Sequence, residues 1–229
     1  AGSGESAKPA NLWPLAMLRL DISTGKLLET FDRTLFAGDS DDLPVRAIIA
    51  GRWNEKILLF VFCKSGNNRS VTRLIGFHPE EKSADILIGD VAHPRFQLRK
   101  QVVEDYPYGV HGWAHTRPVI EKDMIFYTIT FSPFISEKVE RILLARSFST
   151  GELLWEQEQE IPLAAQNGRL ITGKSREPMN SIGGNKLLGE LSCRNVQTGK
   201  LIWSRKLKGT KESGLHDIKK VDGLLIAST

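Results

Sequence analysis

The feature that most constrains the fold is a repeated segment in which a Thr-Gly pair precedes a short apolar run. It reads LDISTGKLLETF at residues 20–31, SFSTGELLWEQE at 147–158 and NVQTGKLIWSRK at 195–206. Glycine takes positive φ in a tight turn at little cost, and the residues that follow it have the pattern of a strand. Each copy therefore predicts a β-hairpin with a glycine in its turn.

A second class of hairpin alternates with the first along the chain. AAQNGRLITG holds Asn167-Gly168 and KKVDGLLIAS holds Asp222-Gly223. Such dipeptides between apolar runs are the strongest short signals of a hairpin. Looser members of this class are IIAGRWNEKILLF and RPVIEKDMIFYTI, and RLIGFHPEEKSADILIGD is a degenerate member of the first class with its tip near Glu81-Lys82. The sequence thus predicts eight hairpins in alternation.

Two successive hairpins make a four-stranded unit, and such units repeated every few tens of residues are typical of propeller blades. We therefore predict an all-β protein, a β-propeller of four-stranded antiparallel blades. About four blades are present, either as a closed ring or as a fragment of a larger ring. Residues 1–10 are expected to be a disordered lead-in or tag remnant, and residues 11–229 the propeller domain, complete or incomplete.

The Thr-Gly-Lys-Leu-Leu/Ile-Trp pattern resembles the repeats of quinoprotein-dehydrogenase-like and WD40-like propellers, whose outer hairpin often reads TGKxLW. The resemblance implies that Trp155 and Trp203 are equivalent packing positions between blades, so both are expected in the core. In the quinoprotein dehydrogenases the resemblance also implies a quinone, a calcium ion and a vicinal cysteine pair. Cys63 and Cys193 are far apart in this sequence, so no cofactor is expected.

Composition narrows the classes of partner and compartment. The 31 basic residues are interspersed with 27 acidic ones, so nucleic acid is an open but less favoured partner. The apolar runs are strand-sized, which predicts no membrane span. Cys63 and Cys193 lie in apolar segments and are expected to be buried thiols, which favours an intracellular location in the cytoplasm or nucleus.

Binding is expected on the face opposite the tight turns, because the other connections are long and loops on a rigid scaffold usually carry function. The richest is EDYPYGVHGWAHTRP at residues 104–118. Aromatic and arginine side chains commonly anchor protein interfaces. An equal alternative is that Trp113 and the tyrosines only fix the loop to the core. The predicted binding residues are Tyr106, Tyr108, His111, Trp113, His115 and Arg117, with Arg95 and Lys174 as steering charges on neighbouring loops.

The sequence predicts neither a metal site nor an active site. His111 and His115 have helical spacing, but nearby glycines argue against a helix and no Glu lies between them. Asp39, Asp41 and Asp42 lack calcium-loop spacing and are expected to form a solvated turn. No nucleophile elbow or phosphate loop occurs. We therefore expect a protein that is not an enzyme.

The function that these observations favour is a non-enzymatic protein-interaction scaffold that uses the long-loop face. One form of it would be the substrate receptor of a ubiquitin ligase, as in F-box proteins that carry degenerate propellers, although no F-box helices are visible. Two alternatives stay open. One is an enzyme resembling the quinoprotein dehydrogenases, and the other is an extracytoplasmic scaffold resembling outer-membrane assembly lipoproteins.

Overall fold

A computed structural model describes residues 16–37, 43–64, 70–91, 118–131, 140–175, 188–206, 217–221 and 224–228. These residues form β-strands together with a short 3-10 helix at Arg33–Phe36. The all-β prediction is confirmed. The strands are β1 (Ala16–Leu20), β2 (Leu27–Asp32), β3 (Leu43–Trp53), β4 (Lys56–Lys64), β5 (Ser70–His78), β6 (Ser83–Ile88), β7 (Val119–Glu121), β8 (Met124–Phe131), β9 (Glu140–Ser147), β10 (Leu153–Glu158), β11 (Glu160–Gln166), β12 (Arg169–Ser175), β13 (Leu188–Asn195), β14 (Leu201–Lys206), β15 (Asp217–Val221) and β16 (Leu224–Ser228).

Strands that are neighbours in sequence are neighbours in the sheets. The described strands make three four-stranded sheets, β3-β4-β5-β6, β7-β8-β9-β10 and β11-β12-β13-β14, and two separate hairpins, β1-β2 and β15-β16. Each four-stranded sheet is an antiparallel meander of two hairpins, which is the blade of a β-propeller. The predicted fold class is confirmed, and the eight hairpins lie where the repeats placed them.

The Thr-Gly turns share one set of hydrogen bonds. Their glycines have φ of +68° (Gly25), +70° (Gly151) and +67° (Gly199). The glycine N–H donates to the carbonyl oxygen of the residue four positions earlier, at 2.8 to 3.0 Å. The threonine Oγ1 accepts the N–H two positions later, at 3.2 to 3.4 Å. Both residues of the repeated pair therefore build the turn.

The looser hairpins are also tight turns, although they lack glycine at the critical position. Asn54 and Lys122 of the second class have φ of +53°, as does Lys82 at the degenerate tip of the first. Asparagine enters this left-handed region more readily than most residues, whereas lysine does so at a cost. The weak sequence signal at Lys82 and Lys122 reflects that unfavourable choice.

The chain divides into two compact units. The first contains Ala1–Ile49 and Lys56–Val91, and the second contains Ala50–Glu55 and Ala92–Thr229. In the first unit, the ring of Phe77 packs edge-on against Phe31, with centroids 4.8 Å apart. The buried core of this unit comprises Phe31, Phe36, Leu59, Val61, Cys63, Ile75 and Phe77.

The second unit has its own core between two blades. It comprises Met124, Phe126, Leu143, Ala145, Leu170 and Val196, with Val119, Trp155 and Ala165 packed against it. Residues from β8 and β9 thus pack against residues from β12 and the turn after β13. Cys193 is also buried in this unit, and burial raises the pKa of its thiol. Since Cys63 is buried as well, the prediction of two buried thiols is confirmed.

A buried ion pair joins β11 to β13 inside the last four-stranded sheet. Arg194 donates from Nη2 to Glu160 Oε1 at 2.6 Å and from Nε to Oε2 at 2.8 Å. Thr172, on the strand between them, donates its hydroxyl to the same Oε2 at 2.6 Å. Two parallel hydrogen bonds to a carboxylate are the strongest geometry available to arginine. Arg194 also donates from Nη1 to the Gly199 carbonyl at 2.9 Å, so the pair supports the neighbouring turn.

Candidate functional site

The structure tests little of the predicted long-loop face. Arg95, Tyr106, Tyr108, His111, Trp113, His115 and Arg117 lie outside the described residues, as do Asp39, Asp41 and Asp42. Their roles stay predictions. Lys174 is described and exposed, but it belongs to β12, opposite Glu160 of β11 and Glu190 of β13. Its placement in a loop was wrong, because pairing on both sides continues the strand to Ser175.

Trp155 connects its own blade to the Thr-Gly turn of the next one. Its indole Nε1 donates to the Val196 carbonyl at 2.7 Å. Its ring lies over Gly199, where a Cβ atom would stand only 2.7 Å from Trp155 Cδ2. On the other side the ring leans against Phe126, with centroids 5.8 Å apart. The contact requires a glycine, so Gly199 serves the packing between blades as well as the turn.

Each Thr-Gly turn has an apolar residue at the same position, and its burial shows whether another part of the chain packs over the turn. This position follows the residue that opens the turn, and Ile22, Phe148 and Val196 occupy it. Val196 is buried beneath Trp155, and Phe148 is buried against Trp53, with ring centroids 4.8 Å apart. Ile22 is fully exposed. The second and third turns are therefore covered, whereas the first presents its apolar residue to solvent.

Trp203 is the counterpart of Trp155 in the last four-stranded sheet, four residues after its own Thr-Gly glycine. Trp155 and Leu153 of β10 are half-buried, whereas Trp203 is 42% exposed and Leu201 is 53% exposed. The expectation of a core position holds in part for Trp155 and is wrong for Trp203. The physical reason is that, among the described residues, Trp203 has no turn packed over it. We call Leu201 and Trp203 the β14 surface.

The charges beside the two tryptophans differ. Two residues after each tryptophan, on the same face of its strand, β10 has the neutral Gln157 and β14 has the basic Arg205. Arg205 and its neighbour Lys206 are both exposed. The β14 surface therefore combines an exposed aromatic side chain with a basic rim. Such a rim favours encounters with acidic groups, because opposite potentials steer association.

A cleft of ≈ 470 Å³ also lies at the turn edge of the second unit. Oxygens of two of its acidic side chains accept hydrogen bonds from the turns, whereas Glu121 Oε2 is buried without a hydrogen-bond partner. Glu121 Oε1 accepts the Gly168 N–H at 2.8 Å, and Asp123 Oδ2 accepts the hydroxyls of Ser147 and Ser149 at 2.8 and 2.6 Å. Within the described ranges no three His, Cys, Asp or Glu side chains are grouped as metal ligands.

Comparisons with known proteins give similarity in structure only. No protein-family model matches the sequence, and the search of curated proteins found no relative. Quinohemoprotein alcohol dehydrogenase ADHIIG from Pseudomonas putida HK5 is 12% identical with a TM-score of 0.44, over 93% of this chain and 35% of that one. BamB from Moraxella catarrhalis is 13% identical with a TM-score of 0.31, over 93% of this chain and 76% of that one. This chain thus spans about a third of the dehydrogenase's length, and these values assign neither a family nor an activity.

In the described part of the chain, no helix has the length and apolar character that crossing a bilayer requires.

Proposed function

We propose that the protein is a protein-interaction scaffold without catalytic activity of its own, and that it binds through the β14 surface. The observation that carries this proposal is the exposure of Trp203 and Leu201 at positions where the preceding blade has Trp155 and Leu153 half-buried. The repeat uses these positions for packing between blades. When the same apolar side chains are exposed, as Leu201 and Trp203 are, they can pack against another protein instead.

The chemistry of this surface fits a protein partner. Tryptophan is enriched among the few interface residues that contribute most of the binding energy. Here it lies on a hydrogen-bonded strand, since β14 pairs with β13 from Glu190↔Lys206 to Arg194↔Leu201. A side chain held on a rigid strand loses less conformational entropy on binding than one on a free loop. Arg205 and Lys206 favour a partner with acidic groups near its docking site.

A photo-crosslinking experiment tests the proposal. With a photoreactive residue in place of Leu201, we expect one discrete adduct with a protein, and we expect Trp203→Ala to abolish it. The matched control carries the same residue in place of Leu154, which is exposed on β10 beside the covered Trp155. Equal adducts from both positions, or an adduct that survives Trp203→Ala, would refute the β14 surface as a binding site.

The long-loop face remains a second predicted interface, centred on Tyr108, Trp113 and Arg117. For a partner that binds there, Trp113→Ala should weaken binding at least about tenfold with little change in melting temperature. Lys26→Ala, on the turn side, should do neither. The ubiquitin-ligase receptor, the quinoprotein-like dehydrogenase, the extracytoplasmic scaffold and the intracellular location stay hypotheses from the sequence.

A further inference from the structure

We propose that the partner at the β14 surface is a second copy of this chain, whose first Thr-Gly turn docks on Trp203. This inference rests on the proposed function and names its partner. We define the first turn as residues 21–26, which connect β1 to β2. In this arrangement the turn of one copy covers Trp203 of another, as the Gly199 turn covers Trp155 within one chain.

The template is a contact that the chain already makes. Trp155 packs flat on the backbone of Gly199 and donates to the carbonyl of Val196, whose side chain is buried beneath it. Three properties of the turn make this contact: a glycine without a Cβ, an accessible carbonyl, and an apolar side chain beside it. Any turn with these properties in the same geometry offers the same docking site to a tryptophan.

The first turn has the same backbone geometry as the template turn. Gly25 has φ of +68° and its N–H bonds the Asp21 carbonyl at 2.8 Å, while Gly199 has φ of +67° and bonds Asn195 at 2.9 Å. In each turn a second bond of 2.9 Å returns from the opening residue to the lysine after the glycine. The two turns therefore present matching backbone surfaces.

The first turn differs from the template in that it is exposed. Ile22 occupies the position of the buried Val196 and is fully exposed. In the described structure, a Cβ built on Gly25 would meet no atom within 4 Å, whereas one on Gly199 would clash with Trp155. The hairpin also exposes Leu18, Leu20 and Leu27 by more than half, and Leu20 is paired with Leu27 across the two strands. Exposed apolar side chains that lie side by side are typical of an interaction site.

The charges of the two exposed surfaces complement each other. In the template, the residue two positions after Trp155, on the same face of β10, is the neutral Gln157, and the turn opens with the neutral Asn195. In the exposed pair, the equivalent residue of β14 is Arg205, and the turn opens with Asp21. A neutral pair is thus replaced by a basic residue on the strand and an acidic residue in the turn. Opposite charges beside an apolar contact favour this pairing over others.

Each copy carries one first turn and one Trp203, so the contact is head-to-tail. Two such contacts close a dimer if the geometry returns to the starting copy, and otherwise they extend a chain of copies. In both cases the particle mass exceeds that of one chain and rises with concentration. A substitution in either the first turn or at Trp203 should remove the association, because the turn does not pair with another turn and Trp203 does not pair with another Trp203.

The mass in solution tests the inference on the full chain. Sedimentation velocity over an about hundredfold range of concentration should show self-association of the wild type. Trp203→Ala and Ile22→Ser should each weaken it at least about tenfold, the loss expected for a hot-spot residue. Ile86→Ser is the control, because it removes an exposed apolar side chain of β6 and should leave the association unchanged.

A mixing experiment distinguishes a second copy from every other occupant. Trp203→Ala retains the first turn, and Ile22→Ser retains Trp203. Each variant alone should stay monomeric, and their equimolar mixture should form a one-to-one complex through the remaining intact contact. A mixture that stays monomeric would overturn the inference, as would a wild type that is monomeric at every concentration.

The remaining outcomes separate this inference from the proposed function. If the wild type is monomeric and Trp203 is shielded from solvent, the tryptophan is covered within its own chain, and the inference is wrong. If the crosslinker at Leu201 captures a different protein in a Trp203-dependent manner while no self-association occurs, the proposed function stands and only the second copy is refuted. If the crosslinker at Leu201 behaves like that at Leu154, the proposed function fails.

Discussion

The indole ring of Trp155 lies so close to Gly199 that a Cβ atom there would stand 2.7 Å from Cδ2. This contact places a side chain of one blade on the Thr-Gly turn of the next. The glycine of the third repeat thereby accommodates the tryptophan of the second. In the described structure, the first turn has no tryptophan packed on it and Trp203 has no turn packed on it.

The first prediction compares alanine at two turn glycines. Gly25→Ala should cost about 1 kcal/mol, because an L-residue is strained at φ of +68° but has open space around it. Gly199→Ala should cost about 3 kcal/mol, because the clash with Trp155 adds to the same strain. Urea unfolding measures both. Equal losses would show that the contact with Trp155 does not contribute to stability.

The second prediction concerns the two tryptophans. Trp155→Ala should lower the free energy of unfolding by about 3 kcal/mol, because it leaves a cavity over Gly199 and removes the bond to Val196. Trp203→Ala should cost less than about 1 kcal/mol, since its side chain is exposed. Chemical denaturation at low protein concentration keeps association out of the comparison. A large loss at Trp203 would indicate a buried position.

The third prediction concerns the buried pair of Glu160 and Arg194. Glu160→Gln or Arg194→Met alone should cost about 3 kcal/mol, because each leaves a buried charge without its partner. The double variant should cost less than the sum of the two, as expected for residues in contact. Lys56→Met is the control. Its bond of 2.6 Å to the exposed Asp85 should contribute less than about 1 kcal/mol. Additive losses would refute the coupling.

The fourth prediction concerns acid sensitivity of the first turn. Hydrogen bonds from the Ser23 hydroxyl, and then from Thr24, lower the pKa of Asp21 from 3.8 to about 2. Because the folded pKa is depressed, the contribution of this carboxylate is complete above 3.8 and is lost as the pH falls toward about 2. The amide protons of Ser23 and Thr24 should shift in that window in NMR spectra. In Asp21→Asn they should not shift, and a midpoint at 3.8 in the wild type would contradict the bonding.

The hairpins could be predicted from the sequence, because the turn and the two strands of a hairpin are adjacent in the chain. The Thr-Gly and Asn-Gly turns fix their own positions through φ and short-range hydrogen bonds, so even Lys82 and Lys122 could be placed by their spacing. The blade count was harder, because the described strands form three four-stranded sheets and two separate hairpins, and pairing between distant hairpins leaves no local pattern.

The candidate site was not predictable in the same way. Trp155 and Trp203 occupy the same position in the repeat, and their different exposure depends on which element packs over them. The residues that open the turns were overlooked although they give a signal: Asp21 and Asn195 stand three positions before the threonine, and their side chains accept its N–H at 2.8 and 3.0 Å. The pair of Glu160 and Arg194 gave no signal, since it forms across three strands.

The exposure of Trp203 as a function of protein concentration tests the account most directly. Fluorine NMR of protein labelled with fluorotryptophan, with Trp203→Phe to assign the signal, measures the solvent isotope shift of each ring. We expect Trp155 to be shielded at all concentrations, and Trp203 to be exposed when dilute and shielded when concentrated. Ile22→Ser should keep Trp203 exposed throughout. A Trp203 that is shielded even at the lowest concentration, or exposed at the highest in the wild type, would contradict the account.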